Sequence, residues 1–202
     1  MHIELTEILK CPRDHAESYL VAAPIAMDGR RIVRGVIGCP ECQAEFPIVD
    51  GIAYFGERPR AVRPPAPAGA SGAEYDAAAL AAFLNLSGPG GYVVLVGAAA
   101  RVGAGLAAAV PGVHVVAVNP PPGVSGGAAL SVLVAAALPV KSAAVRAVAL
   151  GADHAGPAWL REGVRVLLPG LRLAVEDERA APDGISELAR GGGLFVGEKV
   201  RG

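Results

Sequence analysis

Beyond residue 74, short apolar runs alternate with amphipathic segments, a pattern that predicts strands alternating with helices. Apolar runs of strand length occur at "YVVLVG", "VHVVAVN", "LSVLVAA", "VRAVALGA", "LRLAVE" and "GLFVGEKV". Segments with helical character occur at "AEYDAAALAAFLNL", "VGAGLAAAV", "GPAWLREGVRVLL" and "ISELAR". Strands that are apolar on both faces are typical of a parallel sheet covered on both sides. We therefore expect an α/β fold here, a compact, Rossmann-like, doubly wound parallel sheet.

The first 56 residues have a different pattern. Leu5, Ile8 and Leu9 give an amphipathic helical turn, and short strands are predicted in "ESYLVAA", "RRIVRGVIGC" and "AEFPIVDGIAYF". Residues 57–73 are rich in Pro, Gly and Ala and have almost no large apolar side chains, which indicates a semi-rigid linker. The predicted organisation is a small zinc-ribbon-like β domain over residues 1–56, a linker over 57–73 and the Rossmann-like domain over 74–202.

Composition excludes some classes of protein. Hydrophobic residues make up 52% of the chain, and residues 102–140 contain no Asp, Glu, Lys or Arg. Prolines and glycines divide that stretch into pieces shorter than the ~20 apolar residues of a spanning helix, so we expect buried strands and no membrane segment. The net charge of −1 gives no general attraction for nucleic acid. The start of the chain lacks the pattern of a secretory signal, which favours a cytoplasmic protein.

The three cysteines of the chain lie within its first 42 residues, at Cys11, Cys39 and Cys42. Zn²⁺ takes four S or N ligands in a tetrahedron, and tight turns of the Cys-Pro-x-Cys type deliver two ligands each. The first turn lacks its second cysteine, so the fourth ligand is predicted to be His15 or, as the alternative, Asp14. Imidazole suits Zn²⁺ beside thiolates better than a carboxylate does. A metal-free ribbon, with its thiols buried as small apolar groups, stays open as an alternative.

Residues 5–55 resemble the small zinc-ribbon activator subunit of tRNA, ribosomal RNA and release-factor methyltransferases. The motifs that carry the resemblance are "LTEILKCP", "CPEC" and "FPIVDGIAY". The family commonly has its second cysteine where this chain has Asp14. The resemblance implies a methyltransferase or another translation-related protein as partner, since the activator binds its enzyme by strand addition. Docking onto the chain's own second domain and recruitment of a separate enzyme are both open.

Residues 74–178 resemble the class I fold of methyltransferases that use S-adenosylmethionine, through "LPVKSAAVRAVALG" and "WLREGVRVLLPGLRLAVE". In that family the first strand ends in an acid followed by Gly-x-Gly-x-Gly, and an acid after the second strand binds the ribose. The corresponding positions here, which the resemblance assigns to cofactor binding, are Gly97, Ala99, Arg101 and Asn119, with Leu95 in place of the first acid. A Cβ at a glycine position prevents close approach of the cofactor, and a neutral amide gives a weaker contact than a carboxylate.

Asp153 and His154 are the acid–base candidates in the predicted crevice, although a role in a turn or helix cap is the simpler interpretation. Residues 176–178 ("EDE") are predicted to be a solvated loop. The leading hypothesis is a non-catalytic, pseudo-methyltransferase binding or regulatory protein with an activator-like zinc ribbon. The alternative is an active S-adenosylmethionine-dependent methyltransferase with an atypical pocket, acting on RNA or a translation protein. A third hypothesis is a ligand-binding module in which Arg101 holds an anionic group.

Overall fold

The computed structural model describes residues 1–56 and 73–201, so the predicted linker over 57–73 lies outside the described residues except for Ala73. Within these ranges eleven strands form one sheet. In chain order they are β1 (Val21–Asp28), β2 (Arg31–Gly38), β3 (Glu45–Val49), β4 (Ile52–Tyr54), β5 (Tyr92–Val96), β6 (His114–Val118), β7 (Leu130–Val134), β8 (Val145–Leu150), β9 (Leu167–Val175), β10 (Ile185–Gly191) and β11 (Leu194–Lys199). Their order across the sheet is β1-β2-β3-β4-β7-β6-β5-β8-β9-β11-β10.

The N-terminal unit contributes four consecutive antiparallel strands, β1 to β4, at one side of this sheet. A short 3₁₀ helix, Ile3–Glu7, precedes them and buries Leu5. The turn between β3 and β4 is Asp50-Gly51, and both residues have positive φ, 52° and 79°. An Asp-Gly pair is the sequence that tight hairpin turns favour, because glycine adopts positive φ without strain. The predicted small β domain is present.

The second unit is the predicted doubly wound sheet. Strands β7, β6, β5, β8 and β9 are parallel, and β11 and β10 complete the sheet in antiparallel pairings. Two helices, α1 (Ala77–Phe83) and α2 (Gly103–Ala109), pack on one face through Leu80 and Leu106. The third helix, α3 (Pro157–Val166), packs on the other face through Val166. These helices cover the apolar strands, as a mixed α/β fold requires.

The two units share one sheet and one core. Strand β4 pairs in parallel with β7, and the Phe55 backbone N–H donates to the Val134 carbonyl over 2.8 Å. The apolar cluster of the N-terminal unit is continuous with one face of the parallel sheet, and it includes Leu5, Leu9, Ile32, Ile37, Val94, Val116, Leu133 and Val148. In the described structure the β6–β7 and β7–β8 connections contain no helix. The N-terminal unit therefore covers the part of this face next to β7 and β6, which is the internal docking that the sequence left open.

The structure contradicts one predicted helix and shifts another. Residues 185–190, predicted to be a helix, belong to strand β10. The segment is too short to form a stable isolated helix, and the glycines at 191–193 turn the chain back so that β10 forms a hairpin with β11. Helix α3 ends at Val166, so the last two residues of the segment predicted to be helical, at 167 and 168, already belong to β9, which also contains Pro169-Gly170. In the described part of the chain, no helix is long and apolar enough to cross a membrane.

Candidate metal site and closed crevice

Four potential metal ligands of the N-terminal unit converge on one point. The Sγ atoms of Cys11, Cys39 and Cys42 and a ring nitrogen of His15 all lie within 4.8 Å of one another. The Sγ atoms of Cys11 and Cys42 are 3.7 Å apart, and His15 Nε2 is 3.4 Å from Cys39 Sγ. The carboxylate of Asp14 is not part of this group. Of the two candidates for the fourth position, the structure therefore brings together the cysteines and His15.

These distances fit tetrahedral zinc. Bonds of about 2.3 Å to sulfur and 2.0–2.1 Å to nitrogen at tetrahedral angles place two sulfurs about 3.8 Å apart and a sulfur and a nitrogen about 3.5 Å apart. His15 is also oriented for ligation, because its Nδ1 lies 2.7 Å from the Ala16 carbonyl and can donate to it. That hydrogen bond leaves the Nε2 lone pair directed to the cysteines, the arrangement typical of metal-binding histidines. The donor set suits Zn²⁺.

The backbone of the second turn prepares Cys39 for ligation. Burial is the largest single influence and raises the pKa of the Cys39 thiol. Hydrogen bonds from the backbone N–H groups of Cys42 and Glu41, together with contacts to the Cys42 and Cys11 side chains, outweigh burial and lower the pKa to about 7. Gln43 closes the turn with a φ of 56° and donates its N–H to the Cys39 carbonyl over 2.9 Å. A thiol with a lowered pKa is more readily the thiolate that a metal binds.

In the second unit, Arg101 closes the crevice at the carboxyl end of β5. After this strand the chain forms a 3₁₀ helix, Gly97–Val102, and Arg101 extends from it to form an ion pair with Glu176. Its guanidinium also donates to the Ala73 carbonyl over 2.7 Å and the Ala98 carbonyl over 3.0 Å, and it lies 4.5 Å from the centre of the Tyr75 ring. Arg101, the residue at the third predicted glycine position, is thus held by one carboxylate and two carbonyl groups.

The loop after β8 closes the same crevice from the other side. Asp153 lies in a 3₁₀ helix, Ala152–His154, and its Oδ1 accepts a hydrogen bond of 2.9 Å from the Ala98 N–H. Gly97, with φ +58°, lies so close that an added Cβ would overlap the side chains of Asp153 and His154. The Asp153 carboxylate, which belongs to the loop after β8, therefore caps the 3₁₀ helix that follows β5. Burial raises the pKa of the Asp153 carboxyl group, but contacts with His154 and with the Ala98 N–H outweigh burial and lower this pKa below its ordinary value.

Asn119 is held by backbone hydrogen bonds and His154 by ring packing. The Asn119 amide is paired in both directions with the backbone of Ala135, accepting over 3.0 Å and donating over 2.8 Å. His154 is 7% exposed and packs edge to face on Trp159 at 4.7 Å. Its Nδ1 lies 3.1 Å from Asp153 Oδ1, although without the alignment of a hydrogen bond. Leu95 and Ala99 are fully buried in the core, so of the predicted cofactor positions none presents an unpaired polar side chain to the crevice.

The position of Glu176 contradicts the prediction of a solvated loop over residues 176–178 and reveals a candidate site residue that sequence reasoning missed. Its side chain is 1% exposed, so it is not part of a solvated loop. Oε1 accepts from the Tyr75 hydroxyl over 2.6 Å as well as from Arg101, and Oε2 accepts from the Ala152 N–H over 3.2 Å. The acid-rich run around Glu176 indicated solvent exposure. Its three partners lie 24, 75 and 101 residues away in the sequence, which a local pattern does not reveal.

A cavity of about 640 Å³ lies beside the Arg101–Glu176 pair. The residues that line it are Ala73, Glu74, Tyr75, Asp76, Ala79, Ala98, Arg101 and Glu176. The volume falls in the range of small-molecule sites, about 300–1,000 Å³.

Comparison with known proteins finds a family model that matches most of the N-terminal unit. Residues 2–51 match the model of the Trm112p-like protein family. Among solved structures, the chain is similar to one described as a complex between the Haloferax volcanii Trm112 methyltransferase activator and a putative methyltransferase, with 16% identity, a TM-score of 0.46, and coverage of 62% of this chain and 90% of the other. A search of curated proteins found no match.

Two further solved structures that the chain is similar to are methyltransferases. The antibiotic-resistance methyltransferase Kmr is 17% identical with a TM-score of 0.43, over 64% of this chain and 95% of that one. A putative methyltransferase of Bacillus halodurans is 23% identical with a TM-score of 0.39, over 50% of this chain and 49% of that one. The chain thus carries an N-terminal unit that matches the Trm112p-like family model over residues 2–51, followed by a doubly wound α/β unit.

Proposed function

We propose that this protein is a non-catalytic, methyltransferase-like binding or regulatory protein whose zinc ribbon is docked on its own second unit. The observation that carries the proposal is the closed crevice. Arg101 forms an ion pair with Glu176 across the crevice, and the Asp153 carboxylate accepts a hydrogen bond from the backbone N–H of Ala98. A cofactor that binds against the backbone after the first strand needs that backbone free, and glycines normally permit such an approach.

The ribbon is proposed to hold one structural zinc ion through Cys11, His15, Cys39 and Cys42. All four positions of the tetrahedron are then filled by protein, which leaves no open position for a substrate or a reactive water. Zinc would fix the two turns relative to each other and so stabilise the N-terminal unit, which contains β1 to β4.

The ribbon is proposed to have its own second unit as its partner. The edge of β4 is already paired with β7, and the core of the ribbon is shared with the parallel sheet. A separate methyltransferase would have to displace both to add a strand there. Any further protein partner would therefore bind elsewhere on the molecule.

Calorimetric titration with S-adenosylmethionine tests the proposal. We expect no heat of binding at micromolar concentrations, for both the wild type and an Arg161→Ala control, which removes an exposed arginine of α3 outside the crevice. Micromolar binding by the wild type would overturn the proposal. Elemental analysis of the same preparation tests the zinc site, with one zinc per chain expected.

A second candidate is an active methyltransferase with an atypical pocket, acting on RNA or a translation protein. The cavity of about 640 Å³ beside Arg101 favours it, since it lies at the carboxyl ends of β5 and β9 where ligands of α/β sheets bind. This function predicts transfer of a labelled methyl group from S-adenosylmethionine to a cell extract, and loss of the transfer in Asp153→Ala or Asn119→Ala. Absence of transfer together with absence of binding favours the non-catalytic protein.

A further inference from the structure

The groups around the Arg101 side chain form a complete set of partners for a planar cation. Glu176 supplies a carboxylate that is almost fully buried, and the carbonyl oxygens of Ala73 and Ala98 accept two further N–H groups. The ring of Tyr75 faces the guanidinium at 4.5 Å, within the range of a cation–π interaction. We call these four groups the cation cage.

The cage is built independently of Arg101. Ala73 and Tyr75 precede α1, Ala98 follows β5 and Glu176 follows β9, so three separate segments converge on the guanidinium. The Tyr75 hydroxyl and the Ala152 N–H both donate to Glu176 and fix its carboxylate without help from Arg101. Such anchoring keeps a binding group in place when its ligand leaves, because its orientation is set by neighbouring hydrogen bonds.

The cage is also accessible. The Arg101 side chain is 34% exposed, and the cavity of about 640 Å³ opens directly beside it. Two further carboxylates, Glu74 and Asp76, line that cavity and make its surroundings acidic. Asp76 is partly engaged as the N-cap of α1, where it accepts from the Ala79 N–H over 2.8 Å. A cation that approaches the cage is therefore attracted, and a displaced Arg101 finds other acidic partners nearby.

We propose that Tyr75, Glu176 and the Ala73 and Ala98 carbonyl groups form a guanidinium-binding site that Arg101 occupies in the resting protein. A ligand that carries a guanidinium group binds there when the Arg101 side chain is withdrawn. The proposal rests on the proposed function to the extent that the crevice serves binding and not methyl transfer. Guanidinium is favoured over ammonium because a planar, forked donor can reach a carboxylate and two carbonyls while it stacks on a ring.

Chemical rescue of Arg101→Ala tests the site. We expect 10 mM methylguanidinium to raise the melting temperature of this variant by about 3 °C or more, because a ligand that binds only the folded state stabilises it. The same concentration of urea, which has a similar shape but no charge, should have no effect. The wild type should respond more weakly to methylguanidinium, because the added cation must first displace Arg101 from the cage, and it should not respond to urea. Glu176→Gln added to Arg101→Ala should abolish the rescue.

Equal responses of Arg101→Ala and wild type to methylguanidinium would overturn the proposal, as would equal effects of urea and methylguanidinium on the variant. If Arg101→Ala fails to fold, the refolding yield replaces the melting temperature: methylguanidinium should restore it, and yields equal to those in urea would refute the site. Arg161→Ala, which alters an exposed arginine outside the cage, should show no rescue. These outcomes are separate from the titration with S-adenosylmethionine, so either proposal can fail while the other stands.

Discussion

Replacing Leu9 by alanine tests whether the ribbon and the second unit fold as one body. Leu9 is fully buried in the shared core, and it forms an antiparallel bridge with Val140 of the β7–β8 connection. Backbone hydrogen bonds flank it on both sides, from the Lys10 N–H to the Pro139 carbonyl over 3.0 Å and from the Lys141 N–H to the Ile8 carbonyl over 2.8 Å. The site therefore lies on the junction itself.

The magnitude follows from burial and from the flanking hydrogen bonds. A buried Leu→Ala change costs about 2–5 kcal/mol, and the cost is larger where the surroundings cannot collapse into the cavity. The two flanking backbone hydrogen bonds fix the spacing of the two segments, so the surroundings cannot collapse fully into the cavity, and we expect a cost of about 3–4 kcal/mol here. That is a large part of the 5–15 kcal/mol by which a protein of this kind is usually stable. The melting temperature should fall by about 10 °C.

The assay follows the two units with separate probes during denaturant unfolding. Trp159 of α3 reports on the second unit by its fluorescence, since its ring packs on buried His154. The thiols of Cys11 and Cys39 are buried and report on the ribbon when they become reactive. We expect both probes to change in one transition, and Leu9→Ala to move both to lower denaturant by the same amount. Leu188→Ala on β10, where the side chain is 49% exposed, is the control and should shift neither by more than about 0.5 kcal/mol.

Folding of the two units as one body is refuted if Leu9→Ala moves the thiol transition and leaves the Trp159 transition in place. In that case the shared sheet would add no cooperativity between the units. A shift below about 1 kcal/mol in both probes would refute the assigned burial of Leu9 in a core that resists collapse.

Two further predictions concern the metal site and the response to pH. His15→Ala should weaken zinc binding by more than about tenfold in a chelator competition, whereas Asp14→Ala should leave it unchanged, and equal losses would contradict the ligand set. Burial, with contributions from His2 and the N-terminal amine, lowers the pKa of His114 to about 4 from its ordinary 6.5, so the folded state binds fewer protons than the unfolded state between these values. Stability measured by denaturant unfolding should therefore fall as pH decreases from 6.5 towards 4, and His114→Gln should flatten this dependence; an unchanged slope would contradict it.

The fold was predictable from the sequence where burial imposes a strong pattern. Strands β5, β6 and β8 are apolar on both faces and recur with helices between them or beside them, which indicated the parallel sheet. Strand β10 was not predictable in the same way. Its residues are mostly exposed, so no alternation of apolar and polar positions marks them, and only pairing with β11 makes them a strand.

The candidate sites differ in how local their signals are. The cysteine spacing and the preference of zinc for imidazole singled out four residues that the structure brings within 4.8 Å of one another, although zinc binding itself stays a prediction. The cation cage gave no such signal. Glu176 was expected to be solvated, and Tyr75 was not singled out at all. A buried ion pair between distant segments becomes visible only when the sheet places the carboxyl ends of β5 and β9 at the same edge, on either side of β8.

The position of the ribbon gives a physical reason why the second unit keeps its sheet. A parallel sheet that ended at β7 would expose an unpaired edge, and such edges promote association with other chains. It would also leave part of one apolar face bare, because the two connections flanking β7 contain no helix in the described structure. The ribbon covers the edge through β4 and the face through Leu5 and Leu9. Because these contacts lie away from the Arg101–Glu176 pair, we expect the ribbon to be required for the fold whether or not a ligand binds beside that pair.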